Sequence, residues 1–339
     1  MRNETGQPLI SSHYSRMLAR ELRLHERDLP KLLQGTDLPT SVLLPGDETR
    51  LSGPQQLRII HNARLLDPDE ELGLRLGSQL HPSAHGPMGY LALSSPDLIT
   101  ALRALRDFLP LRIAIAQLGV EVSGRWLSCT LQIRIAAPEA ERRMLLECFA
   151  LVLQALIESV LGKPLAGGRF EFEFSPPAYR KAYQDYFRSP TRFSRETSQL
   201  LLPAALAGAP NATADPGSYG LARDLCERLL GQLPASSLSM TDRVRRRLLS
   251  MPAGSASEAD VARALFVSKR TLARRLIQEG TGYRQIRDQL FAELAARHLR
   301  ESRLGVDAIA ALLGYHDSAN FRRAFRRWYG TSPAEFRRA

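Results

Sequence analysis

Cysteine is scarce in this chain: Cys129, Cys148 and Cys226 are all it has, and they are scattered. Three thiols so spaced supply neither a disulfide framework nor a CxxC metal site, and they read as buried thiols in a reducing compartment. Uninterrupted runs of 18 apolar residues are also missing, and the opening MRNETGQPLISSHYSRML lacks the basic-then-apolar order of a signal peptide. A membrane span and export are therefore not expected, and a cytoplasmic location is. No GxGxxG, Walker or GxSxG pattern occurs, so the reading assigns no catalytic residue, cofactor or metal, and no enzyme. His81 and His85 in HPSAH have the i,i+4 spacing of a metal pair, but Pro82 and Gly86 argue for a loop and no third ligand is evident. The carboxylates of DPDEE, Asp67 to Glu71, read as an acidic helix start.

Charge of one sign is missing from only one end. The chain carries a net +11, yet residues 240 to 339 hold 20 Arg plus Lys against 10 Asp plus Glu, while residues 1 to 239 hold 26 against 25. A neutral body with a basic end delivers one domain to a phosphate backbone, where a uniformly basic chain would be a general polyanion binder. A solvated basic face is the plainer cause of such a run, and the pattern inside it has to decide.

A composition of 44% hydrophobic and 24% charged residues over 339 positions is that of a globular protein with about two domains. PAALAGAPNATADPGS, residues 203 to 218, is rich in small residues and reads as a linker; a short helix from Tyr219 to Leu230 and a loop near Pro234 to Ser239 follow. The expected division is 1–205, an α+β domain; 206–240, linker and short helix; and 241–339, an all-α domain. In the first, helices are expected near Ser12 to Glu26, Pro54 to Leu66, Leu98 to Phe108 and Glu139 to Leu161, the last stopped by Gly162. Leu127, Cys129, Leu131, Ile133 and Ile135 alternate with polar residues as in a half-buried strand. Arg112 to Val122 should pair with it, with a bulge where the apolar phase slips between Ile115 and Leu118. RFEFEF is a third strand, and Tyr179, Tyr183, Tyr186 and Phe187 read as core or as a pocket wall.

The basic end holds two helix-turn-helix patterns, 257–279 and 306–328. Ser257 can cap a helix through Leu265, and Ser268 a second one. At 100° per residue, Leu272 and Leu276 turn inward while Arg270, Ala273, Arg274 and Ile277 face out. In the second copy Ile309, Leu312 and Leu313 form a core stripe, Gly314 ends the helix, and Asp317 or Ser318 caps the next. There Phe321, Ala324, Phe325 and Trp328 share one face, and Ala319, Arg322, Arg323 and Arg326 the other. An α-helix fits the major groove of B-DNA, where Arg pairs bidentately with guanine, and no acid lies between Ser318 and Thr331 to pair these arginines locally. Residues 283 to 302 connect the copies without Gly or Pro, a helix of about 25 to 30 Å that can hold two recognition helices on one face of a duplex, in adjacent turns.

SKRTLARRL, VDAIAALLGYHDSANFRRAFRRWYGTSPAEFRR and the connecting helix resemble the AraC/XylS family of transcriptional regulators. ELGLRLGSQLHPSAHGPMGYLALSSPDLITAL and YFRSPTRFS resemble the branch with an arabinose-binding-like N-terminal domain, which includes regulators similar to the ornithine-utilisation regulator. The resemblance implies a multidomain fold, with an α+β sensing and dimerisation domain followed by two helix-turn-helix motifs joined by a long helix. It implies sequence-specific binding to operator or promoter double-stranded DNA, a small-molecule effector, a homodimer, contact with RNA polymerase, and activation or repression of nearby operons. Matched position by position, Arg270, Ala273, Arg274, Ser318, Ala319, Arg322 and Arg323 approach bases, and Lys269, Arg275, Arg326 and Arg327 touch phosphate; ligand-binding residues are not assigned. Phe266 stands where many relatives carry a small residue, and is strained if that turn needs φ > 0. Phe291 and Ala292 stand where relatives often carry Arg, which would remove phosphate contacts. Two other classes stay open: an architectural, ligand-independent DNA binder whose N-terminal domain only dimerises, and a DNA-repair enzyme, which the three scattered cysteines do not equip.

Overall fold

The computed structural model describes residues 9–67, 69–233, 239–250, 257–302, 304–315 and 317–338. Residues 1–8 of the opening stretch, Pro68 of the acidic run and most of the loop expected near Pro234 to Ser239 lie outside the described residues. The chain divides into two compact units, Met1–Ser237 and Leu238–Ala339.

The first unit is α+β. Its elements are β1 (Leu9–Ser11), α1 (His13–Glu21), α2 (Leu29–Leu32), β2 (Arg50–Ser52), α3 (Gly53–Leu66), α4 (Leu72–Gln79), α5 (Pro87–Leu93) and α6 (Leu98–Phe108). There follow β3 (Ala116–Ser123), β4 (Trp126–Ile133), α7 (Glu139–Leu161), β5 (Arg169–Glu171), α8 (Tyr183–Tyr186), β6 (Thr191–Arg192), β7 (Gln199–Pro203) and α9 (Pro216–Gln232). The larger sheet has the order β3-β4-β7-β5-β6. The alternation in β4 buries Leu127, Cys129, Leu131 and Ile133, as the period of two requires. No bulge interrupts its ladder with β3, which runs in register from Ala116↔Ile133 to Ser123↔Trp126. The slip in apolar phase has another cause: β3 starts at Ala116, and residues 112 to 115 belong to the preceding turn.

Local chemistry sets the helix ends. Ser52 and Gln55 form a capping box at α3, and the Asp97 carboxylate accepts the Thr100 amide at 2.9 Å at α6. Helix α7 stops at Gly162, whose φ of 64° suits a residue without Cβ. Although α7 is long and apolar enough to cross a membrane, 67% of its most apolar window is buried, as in a core helix. It carries two buried carboxylates. Glu141 accepts from His61 at 2.9 Å and Arg64 at 3.0 Å; Glu147 accepts from Tyr179 at 2.8 Å and Tyr183 at 2.5 Å, and burial pushes its carboxyl up to about 7. Of the expected aromatic run, Tyr183 and Phe187 are buried core, stacked on each other and meeting Phe172 edge-on and Phe170 at a tilt, while Tyr179 and Tyr186 are half-buried.

Residues 203 to 218 are not a free tether. Asn211 is buried and donates to the carbonyls of Leu93 at 2.6 Å and Ser95 at 2.7 Å, while the Leu98 and Ile99 amides donate to the Ala209 and Ala207 carbonyls. Backbone pairing holds this strap where apolar side chains cannot, so composition alone gave no sign of it. Helix α9 is longer than the expected Tyr219 to Leu230, packs against α5 and buries Cys226.

The second unit is all helical: α10 (Met240–Ser250), α11 (Glu258–Ala264), α12 (Lys269–Gln278), α13 (Tyr283–Glu301), α14 (Val306–Leu312), α15 (Ser318–Tyr329) and α16 (Pro333–Arg338). It has two cores on one spine. Tyr283, Ile286 and Leu290 of α13 pack with Val244, Val261, Leu272 and Leu276, whereas Ala295 and Leu299 pack with Ile309, Leu313, Phe321 and Phe325. Leu294 touches both.

Candidate nucleic-acid interface

Ser257 opens the first motif with a capping box: its Oγ accepts the Asp260 amide at 3.2 Å, and Asp260 accepts the Ser257 amide at 3.2 Å. These hydrogen bonds hold the exposed Asp260 carboxyl below its ordinary range. After α11 the chain reverses over Leu265 to Val267. The Phe266 amide donates to the Arg263 carbonyl and the Val267 amide to the Ala262 carbonyl, both at 3.0 Å. This closure requires a left-handed residue, and Phe266 supplies it at φ 57° with its ring 96% exposed. Ser268 then caps α12, accepting the Thr271 amide at 3.1 Å. At the far end of α12, Glu279 accepts the Met240 and Thr241 amides, each at 2.8 Å, and so caps α10 from outside.

The second motif repeats the closure. The Gly314 amide donates to the Ala311 carbonyl and the Tyr315 amide to the Ala310 carbonyl, both at 2.9 Å, with Gly314 at φ 74°. Asp317 is the cap of α15, accepting the Ala319 amide at 2.8 Å. Behind α15, Phe321, Ala324 and Phe325 are buried and Trp328 is half-buried. Leu312 departs from its expected core place and is 50% exposed; Ala310 takes the inward position because α13 lies on that side.

Of the residues matched to base contacts, Arg270, Arg274, Ala319, Arg322 and Arg323 are exposed, and Ala273 and Ser318 are half-buried. Lys269, Arg275, Arg326 and Arg327, matched to phosphate contacts, are exposed as well. Leu272 and Leu276 face the core behind α12. Each recognition helix thus offers a cationic outer face on a buried apolar back. Two arginines of α15 have partners that a local scan does not reach, Arg322 with Asp307 at 2.9 Å and Arg327 with Asp288 at 3.2 Å, while Arg323 donates to Asn320 within the helix at 2.6 Å. Arg270, Arg274 and Arg275 have no ion pair among the described residues. Exposed pairs contribute at most about 1 kcal/mol, so they orient these guanidinium groups without withholding them from a phosphate or a base.

Helix α13 fixes the distance between the motifs. Arg245 of α10 pairs with Glu293 at 2.7 Å, and the Tyr329 hydroxyl donates to the Ala292 carbonyl at 3.0 Å. Ala292 is buried and Phe291 packs on the first core, so both serve packing and neither stands on an outer face where an Arg would reach phosphate. The 19 residues of α13 span about 28 Å.

Other candidate sites do not assemble. His81 is exposed on Ser83 while His85 is buried on Tyr14, and among the described residues no group of three His, Cys, Asp or Glu could hold a metal. The Cys129 and Cys226 thiols are pushed up to about 12 by burial, and Cys148 donates to the Gly73 carbonyl.

Two capped helix-turn-helix units with basic outer faces on one helical spine define a DNA-binding transcription regulator. Comparison with known proteins places it further. Residues 27–211 match the arabinose-binding N-terminal domain of AraC transcription regulators, and residues 261–339 match a helix-turn-helix domain. The chain is 34% identical to the ornithine utilization regulator of Pseudomonas aeruginosa over 88% of this chain and 87% of that protein. It is 28% identical to the regulator VirS of Mycobacterium tuberculosis over 79% of this chain and 78% of that one. Among solved structures it is similar to the transcriptional regulator CdpR from Pseudomonas aeruginosa, 26% identical, covering 92% of this chain and 97% of that chain with a TM-score of 0.45. The chain belongs to the AraC family of transcription regulators. Its relatives are regulators and not enzymes.

Proposed function

We propose that the protein binds a specific operator as a homodimer in the cytoplasm, contacts RNA polymerase there, and controls nearby operons in response to a small metabolite sensed by its N-terminal unit. Arg270, Ala273 and Arg274 of α12 and Ser318, Ala319, Arg322 and Arg323 of α15 approach bases, and Lys269, Arg275, Arg326 and Arg327 hold phosphates. The observation that carries this reading is the pair of outward guanidinium faces braced on α13, a helix of 19 residues spanning about 28 Å, a length of the order of the ~34 Å repeat of the major groove. One protomer then reads two adjacent major-groove segments on one side of the duplex.

Genome-wide mapping of bound sites followed by footprinting tests it. The expected result is a recurrent asymmetric site, protected in two segments one helical turn apart on one face, and occupied differently when a metabolite is added. Protection without any recurrent sequence, unchanged by metabolites, would instead make the protein an architectural binder.

A further inference from the structure

The N-terminal unit encloses a cavity of about 80 Å³. Its walls are aliphatic and aromatic, with Leu76, Leu105, Ile115, Met144, Phe149 and Val152 among them, and no Asp, Glu, Lys or Arg lines it. Polar groups gather at one end, where the Tyr14 hydroxyl and His85 Nδ1 lie 2.7 Å apart. The Arg112 guanidinium lies over the Tyr14 ring, 5.9 Å from its centre. The remaining wall amide, Gln56, has its oxygen occupied by Ser15 at 2.9 Å.

Proton positions follow from the chemistry of these groups. Burial keeps the phenol protonated, pushing Tyr14 up to about 12, and keeps the imidazole neutral, pushing His85 down to about 4. Among the described residues His85 Nδ1 is the one acceptor within hydrogen-bond distance of the protonated phenol, so the phenol proton goes to Nδ1. The ring proton of His85 is then on Nε2. That atom is buried and has no partner of hydrogen-bond geometry, although the Leu80 backbone lies close enough to His85 to favour its charged form, and Arg112 Nε is likewise buried without a partner. A buried donor without an acceptor is unfavourable, because its lost hydration is not replaced. The site therefore presents an unfilled N–H at the end of an apolar chamber.

We propose that this cavity is the effector site and that it takes a short aliphatic molecule headed by one carbonyl-type oxygen, which accepts the His85 Nε2–H while its chain lies against the apolar walls. This assignment rests on the reading of the N-terminal unit as a sensor. Amines and diamino acids such as ornithine are excluded from it: their ammonium groups would find no carboxylate on the wall. The chamber is about half the ~150 Å³ that accommodates benzene in an engineered core, so only a few carbons enter without rearrangement.

Calorimetry and thermal unfolding of the full chain with butanoate, 2-pentanone, pentylamine and ornithine at millimolar concentration test the proposal. The expected result is saturable binding of a carbonyl probe, weakened at least tenfold in His85→Leu and also weakened in Tyr14→Phe, which keeps the ring and removes the relay proton. Binding of butanoate alone assigns a carboxylate head drawn by Arg112, and binding of 2-pentanone alone a neutral carbonyl. If His85→Leu fails to fold, Tyr14→Phe and the imidazole ¹⁵N spectrum of the native chain, in which Nε2–H must move on ligand addition, decide in its place. Failure of both carbonyl probes, or binding indifferent to both variants, overturns the assignment. Ornithine binding unaffected by either variant overturns it while leaving the sensor reading intact; no stabilisation by these probes or by a wider metabolite set removes both.

Discussion

In the first reader the left-handed turn residue is Phe266, at φ 57°; in the second it is Gly314, at φ 74°. The hydrogen bonds that close the two turns are the same pair, yet a residue with Cβ held there costs about 1–2 kcal/mol, and the exposed ring of Phe266 recovers none of it. The copies also differ in how they hold their cations. Arg322, Arg323 and Arg327 of α15 are tethered to Asp307, Asn320 and Asp288, whereas in α12 Lys269 pairs with Glu258 at 3.4 Å and Arg270, Arg274 and Arg275 have no acid partner among the described residues. One backbone design thus carries a relaxed, preset reader and a strained reader with untethered arginines. The difference teaches that the second motif is built for fixed geometry and the first for adaptable contact.

The comparison can be broken most strongly through the cores. Phe325→Ala should destabilise the second reader by about 3–5 kcal/mol and abolish specific DNA binding, while Leu276→Ala should cost the first about 2–5 kcal/mol; denaturant unfolding of the full chain with parallel binding assays measures both. Equal loss of binding with no loss of stability in either would contradict the two-core spine. Next in size, Arg323→Ala should relax preference at one base pair by roughly 1–3 kcal/mol, and Arg274→Ala should do less, since its untethered side chain is ordered only on binding. Competition against operators mutated base by base gives the ratio, and a larger effect at Arg274 would reverse the ranking of the readers. Phe266→Gly should raise stability by about 1 kcal/mol and Gly314→Ala should lower it by about the same, read as opposite shifts in unfolding midpoint. The smallest effect belongs to Arg327→Ala, which should weaken all DNA alike and lower the salt slope by about one.

Features held by near neighbours in the chain were legible beforehand. The caps at Ser257 and Ser268 and the alternation in β4 depend on residues within one turn or one strand, and they stand where the sequence put them. What escaped was set by distant partners. Asp307 and Asp288 lie 15 and 39 residues from the arginines they hold, so the absence of acids inside α15 said nothing about them. Leu312 was misplaced because a helical wheel gives a direction but not which neighbour occupies it. The strap around Asn211 was read as a linker because backbone pairing leaves no mark on composition. Tyr14 and His85 are 71 positions apart, which hides the polar end of the cavity from any motif scan.

Leu294, wedged into both cores, gives α13 the character of a ruler with no free play. One inserted residue would advance the second reader by about 1.5 Å and swing it by about 100° relative to the first, so that the two outer faces no longer point the same way. In the proposed binding mode, spacing and phase of the two half-sites are therefore written in a covalent length, and an operator with a different pitch calls for a different helix, not a looser hinge.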